Sequence, residues 1–229
     1  MRSRGSPRAT LETTVSTNPA VSAAPIELIG LPQSDFVWAT RIVAAERGID
    51  VVHRSAAPHT PEVWAISPVG KIPVLRHGNV RLSESRAICL YLDGLAEGAS
   101  LDRPEQDLLT RARDEQWLSI VLTTIEPILI RQYLFAYLFP GTPDGAVNPT
   151  HVESLVPALE AQLDLVETAL AEGWVGGERF GLADAYLIPI LASLRGRREA
   201  DAAIARRPPV SSYLEAGLRR PSVRATMPA

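Results

Sequence analysis

One cysteine, Cys89, and one lysine, Lys71, stand in a chain of 229 residues. A single thiol cannot form an intramolecular disulfide, so a reducing compartment such as the cytoplasm is expected. The four histidines, His53, His59, His77 and His151, lack the short spacings of metal ligands, so no metal is expected. No apolar run approaches the roughly 20 residues that cross a bilayer, so no membrane partner is expected. A net charge of −3 provides no basic field for a nucleic-acid backbone. What remains is an ordinary globular mix, 46% hydrophobic and 21% charged, long enough for one large domain or two small ones.

Of the 23 basic residues, all but Lys71 are arginine. A coding bias towards arginine leaves a lysine where a compact cation on a flexible stem is specifically useful, which draws attention to that position. Residues 1–25 are rich in Ser, Thr, Pro and Ala without an apolar period, and read as a disordered lead.

Ordered signals begin at Ile26. IELIGL suits a buried strand, and Ser34 precedes a helical pattern with Phe36, Ala39, Thr40 and Val43 on one face, stopped by Gly48. IDVVHR reads as a second strand, and TPEVWAI as one helical turn. IPVLRH and VRL flank Gly78-Asn79 as a hairpin. Ser83 is expected to cap a helix carrying Ile88, Cys89, Leu92 and Leu95. The order β-α-β-α-β-β-α makes residues 26–95 a small α/β layer domain.

Residues 96–104 read as a linker, and 105–229 as an all-helical bundle domain. Leu109, Ala112, Trp117, Ile120, Val121, Thr124, Ile125 and Ile128 keep a helical period until Pro140, Gly141 and Pro143. Val152, Leu155, Val156, Leu159, Leu163, Val166 and Leu170 mark a second helix, and Ala183, Leu187, Ile190, Leu191 and Leu194 a third after Gly176-Gly177. Tyr133, Phe135, Tyr137 and Phe139 crowd one helix end and are read as packing residues. Cys89, on an apolar face, reads as a buried structural thiol.

Three segments of the first domain carry chemistry: GLPQSDFVWATRIVAAERGI with Ser34, SPVGKIPVL with Lys71 and Pro73, and RLSESRAICLYL with Glu84 and Ser85. Ser34 lies where a strand hands over to a helix. An N-cap hydroxyl is expected there, beside the partial positive charge of a helix N-terminus. In this order, with a helical second half, the chain resembles the serine-type, cytosolic glutathione transferase family over about residues 26–227, including the ending PPVSSYLEAGLRRPSVRAT.

The resemblance implies a thioredoxin-like βαβ-ββα domain followed by an all-helical bundle, working as a homodimer. It implies glutathione as co-substrate and a small hydrophobic electrophile as partner, in a detoxifying conjugation. Ser34 would donate to the glutathione thiolate. Pro73 would follow a cis bond that turns the Ile72 backbone towards the tripeptide. Lys71 and His59 would face its carboxylates, and Glu84 and Ser85 its γ-glutamyl head. Trp117, Ile120, Val121, Thr124 and Tyr133 would line the electrophile pocket.

Two departures stand out. Asp35 follows Ser34 where many relatives have proline, and an acid beside a thiolate opposes its ionisation. GERFGLADAYLIP has Gly181 where the family's helix-capping segment has Ser or Thr, with Asp184 retained. The alternatives are a glutathione-dependent isomerase or dehalogenase on the same scaffold, and a non-enzymatic binding or assembly domain.

Overall fold

The short apolar runs pair into a four-stranded mixed sheet in the order β2-β1-β3-β4 in a computed structural model that describes residues 24–103 and 105–228. Residues 1–23 of the expected lead, and Pro104 of the expected linker, lie outside the described residues. β1 is Ile26–Ile29, α1 Asp35–Glu46, β2 Val51–Arg54, α2 Pro61–Trp64, β3 Val74–His77, β4 Val80–Ser83 and α3 Ser85–Leu95. β1 runs parallel to β2 and antiparallel to β3, with Leu28 opposite Leu75 and Ile29 opposite Val74.

Alternation along the strands sorts these side chains. Leu28 and Leu75 join Val37, Ile42, Ile88 and Leu92 of α1 and α3 in the main core. Ile29 and Val74 turn the other way and meet Val63 of α2. Gly48, at φ +64, closes α1, as its position predicts. Gly78, at φ +56, opens the two-residue hairpin turn.

The Ser83 cap is corrected. Ser83 ends β4, and Glu84 is the capping residue of α3, at φ +68 and with no side-chain cap bond. An acid adjoining the helix still suits its dipole without closing it.

The helical half begins with one long helix, α4, over Leu108–Leu138. It is α-helical to Ile120, π-helical over Val121–Ile125 and again over Pro127–Leu134, and α-helical over Phe135–Leu138. It is long enough to cross a bilayer, and its most apolar 18-residue window has a mean hydropathy of 1.3. Leu118, Val121, Ile125 and Leu129 spend that apolar character inside the bundle. Leu109 and Ala112, expected on this face, are exposed instead.

There follow α5 (Pro149–Ala169), α6 (Leu182–Ser193), α7 (Arg198–Ala205), α8 (Pro208–Arg219) and α9 (Pro221–Thr226). Tyr133 and Tyr137 both donate to the Glu199 carboxylate on α7, as expected of packing aromatics.

At the head of α6 a Cβ on Gly181 would stand 2.9 Å from Arg103 Nη2. The guanidinium, which also donates to the Arg179 carbonyl, occupies the room a Ser or Thr side chain would need. Asp184 accepts from Gly181 N at 2.8 Å, Val175 N at 2.9 Å and the Tyr213 hydroxyl at 2.9 Å. Burial pushes its carboxyl up to about 6 against these three donors.

The two halves lock through α1, which packs on α6 and α9. Trp38 Nε1 donates to Thr226 Oγ1 at 3.1 Å, and Arg220 holds Glu46 with a two-pronged contact at 2.6 and 2.7 Å. Cys89 Sγ meets the Tyr186 hydroxyl at 3.3 Å, and burial pushes the thiol up to about 12, as suits a structural group.

The segment after α3 is pinned. Asp93, 2% exposed, lies 2.9 Å from Arg47 Nε and accepts from Leu101 N and Asp102 N. Arg47 in turn donates to the carbonyls of Ala96, Glu97 and Ala99.

Candidate functional site

Ser34 reaches its place because β1 ends at Ile29 and a short turn delivers the chain to α1. It has extended backbone (φ −68°, ψ 126°), and its Oγ accepts a long 3.4 Å bond from Val37 N. The residue is half-buried. Among the described residues its O–H has no acceptor, so the hydroxyl remains able to donate outward.

The Ile72-Pro73 bond is cis, and β3 starts only at Val74. Among the described residues neither the N–H nor the C=O of Ile72 has a backbone partner. Lys71 beside it is exposed, with its backbone N donating to Ser67 Oγ at 3.3 Å. Glu84 is exposed and Ser85 half-buried at the start of α3. Among the described residues Glu84 forms no ion pair.

His59 belongs with Lys71. Its backbone N–H donates to Gly70 O at 2.8 Å, and its ring rests 5.6 Å from the Trp64 ring. A Cβ on Gly70 would stand 2.6 Å from His59 Nδ1. The loop after β2 is thereby fastened to the residue preceding Lys71.

The electrophile-pocket candidates separate. Val121 is fully buried in the core. Tyr133 is fully buried too, its hydroxyl donating to Glu199 and accepting from Ala200 N at 3.2 Å. Trp117 packs on the turn at Gly176, where a Cβ would stand 2.7 Å from its ring. These three pack within the helical bundle. Ile120 is half-buried and Thr124 exposed.

The side chains that α4 does send towards α1 are different ones. Glu126, 3% exposed, sits between the two π segments. Arg131 Nε lies 2.7 Å from its Oε1. The Arg131 guanidinium also stands 5.7 Å from the Phe36 ring centroid and 5.2 Å from that of Phe135.

Asp35 faces the same group. It is 7% exposed, with Oδ2 buried and unpartnered. Burial raises its carboxyl, opposed by the charge of Arg131. Glu126 is pushed up to about 7, first by burial and then by Asp35, with Arg131 and Lys71 pulling it down. Burial favours the neutral form of Asp35, which lessens the objection to an acid next to Ser34.

A capped helix start, an unpaired backbone edge at a cis-proline and a second helix start are thus each left open in the first domain. A family model described as the N-terminal domain of glutathione S-transferase matches residues 28–100, and one for the C-terminal domain matches residues 149–216. Glutathione S-transferase 3 of Zea mays is 34% identical over 219 residues, 90% of this chain and 95% of its own.

The chain belongs to the glutathione S-transferase family.

A solved apo structure of glutathione S-transferase III is 29% identical and superposes with a TM-score of 0.75, covering 90% of this chain and 98% of that one. A glutathione S-transferase from Methylobacillus flagellatus, solved with GSH bound, is 26% identical with a TM-score of 0.71, covering 89% and 100%. The fold expected of this family, a small mixed sheet with helices followed by a helical domain, is the fold found. Membership also makes the chain a transferase by family.

Proposed function

We propose that this glutathione transferase divides near residues 96–104 into a glutathione-binding unit and a helical unit, and that Ser34 makes it a serine-type enzyme. The Ile72 N–H and C=O pair with the cysteinyl residue of glutathione as a short added strand edge. Ser85 and the free N–H groups of α3 take the γ-glutamyl carboxylate, and Glu84 takes the ammonium. Lys71 and His59 face the glycyl carboxylate.

The thiol then lies at the N-terminus of α1. The helix dipole and the Ser34 O–H stabilise its thiolate. The sulfur lone pair forms a bond to an electrophilic carbon of a small hydrophobic co-substrate. The leaving group departs with its electron pair, and the thiol proton passes to solvent. Catalysis rests on thiol ionisation and on holding the two reactants together. In keeping with the resemblance, the working unit is a cytoplasmic homodimer.

The observation that carries this reading is the Ser34 hydroxyl, anchored at a helix start with its proton uncommitted. The test is the ultraviolet difference spectrum on adding glutathione at neutral pH, run beside Ser34→Ala, with turnover of chlorodinitrobenzene. A thiolate band in the wild type that fades in the variant supports it. Unchanged turnover in a variant that still binds glutathione overturns the assignment of Ser34.

A further inference from the structure

Arg131 has no part in holding glutathione in the reading above. It belongs to the helical half and stands against the first turn of α1. Its carrier, α4, is π-helical from Pro127 to Leu134, and such segments frequently mark functional sites. Its Nε rests on Glu126, and its guanidinium stands near the faces of Phe36 and Phe135. Phe36 is two residues past Ser34, so this cation stands against the first turn of α1. The charges of Asp35 and Lys71 both act on the Glu126 carboxyl.

Three features make Arg131 a receptor for an anion. Its side chain is 48% exposed, although it begins among apolar residues. Among the described residues Glu126 is its sole carboxylate contact, made through Nε, so the outer guanidinium nitrogens remain free to form the planar fork that fits a carboxylate. The paired acid, Glu126, is pushed up to about 7 by burial, so it does not fully cancel the guanidinium near neutral pH, and burial likewise favours the neutral form of Asp35. The flanking rings of Phe36 and Phe135 add apolar surface on which an aromatic ring can lie.

We propose that Arg131 is a specificity-determining residue that anchors the carboxylate of an aromatic electrophile while Phe36 and Phe135 hold its ring. This rests on the transferase reading above. With a chloronitrobenzoate, the glutathione sulfur forms the new bond at the ring carbon bearing chlorine. Chloride leaves with the bonding pair, the thiol proton goes to solvent, and the carboxylate stays on Arg131 throughout.

The test compares kcat/KM for a chloronitrobenzoate and for its methyl ester, in the wild type, Arg131→Met and Arg131→Lys, with thermal midpoints recorded for all three. We expect the acid-to-ester ratio to fall about tenfold in Arg131→Met and by less in Arg131→Lys, which keeps charge but loses the fork. The KM for the acid should move more than the KM for glutathione.

An unchanged ratio with both compounds turned over overturns the role of Arg131 alone. A glutathione KM that rises as much as the acid KM overturns it too, because Arg131 then belongs to the tripeptide. Failure of the wild type to turn over even chlorodinitrobenzene overturns the transferase reading, and this proposal with it.

Discussion

The backbone N–H of His59 donates to the carbonyl of Gly70 at 2.8 Å, and the His59 ring covers the face of Gly70 where a side chain would grow. That contact couples the loop after β2 to the one lysine of the chain. Gly70 is held at φ +66, a conformation costing other residues about 1–2 kcal/mol. Gly70→Ala should therefore lower stability by at least that amount and raise the KM for glutathione more than it lowers kcat. Steady-state kinetics with varied glutathione, beside a urea melt, check both; a normal KM would separate the loop from tripeptide binding.

On the proposed assignment, Ser34→Ala removes the donor to the developing thiolate. Losing one such donor typically costs on the order of a hundredfold in rate, and the bound thiol should titrate at higher pH. The pH-rate profile with chlorodinitrobenzene should shift towards alkali. The stability cost should sit at the low end of the roughly 0.5–2 kcal/mol seen for N-caps, because the bond to Val37 N is long, at 3.4 Å.

Asp93→Ala leaves Arg47 buried without its partner and frees Leu101 N and Asp102 N. Breaking a buried pair from one side costs about 3–5 kcal/mol. Thermal and urea unfolding should both show it. Limited proteolysis should cut the variant at 96–103 and spare the parent.

Glu126 and Asp184 are carboxyls that the fold holds above their ordinary values, at about 7 and about 6. Over the window from the ordinary carboxyl range up to these values, the native state binds more protons than the unfolded chain. Stability from these two groups is therefore full at acid pH and is lost as pH rises through 6 and 7. Glu126→Gln should flatten that decline in a series of urea midpoints. An unaltered slope would remove Glu126 from the balance.

Much of the first domain was legible because its signals are local. Gly48 ends a helix, Gly78-Asn79 makes a two-residue hairpin, and Ser34 caps a helix whichever ligand lies outside. The error at Ser83 came from the same logic, since a hydroxyl before a helix looks like a cap until Glu84 intervenes. The Glu126–Arg131 contact was not legible because α4 was read with an α-helical period, while the pocket residues came from the resemblance, and of these Val121 and Tyr133 are core. In a π segment, residues five apart are neighbours, and Glu126 and Arg131 are five apart. The Arg47–Asp93 pair was equally hidden, because nothing in sequence brings two residues 46 positions apart into contact.

The widened turns of α4 have a consequence for the order of residues itself. Each π turn absorbs one residue more than an α turn does, so the two segments act as a phase setting between the ends of one rod. Forced into strict α turns, the same residues would carry everything after them about 100° further round for each residue so absorbed. Leu129 would leave the bundle core and Arg131 would turn away from Phe36, although no side chain in either place had been changed. At this helix the count of residues, and not only their kind, determines what Phe36 faces.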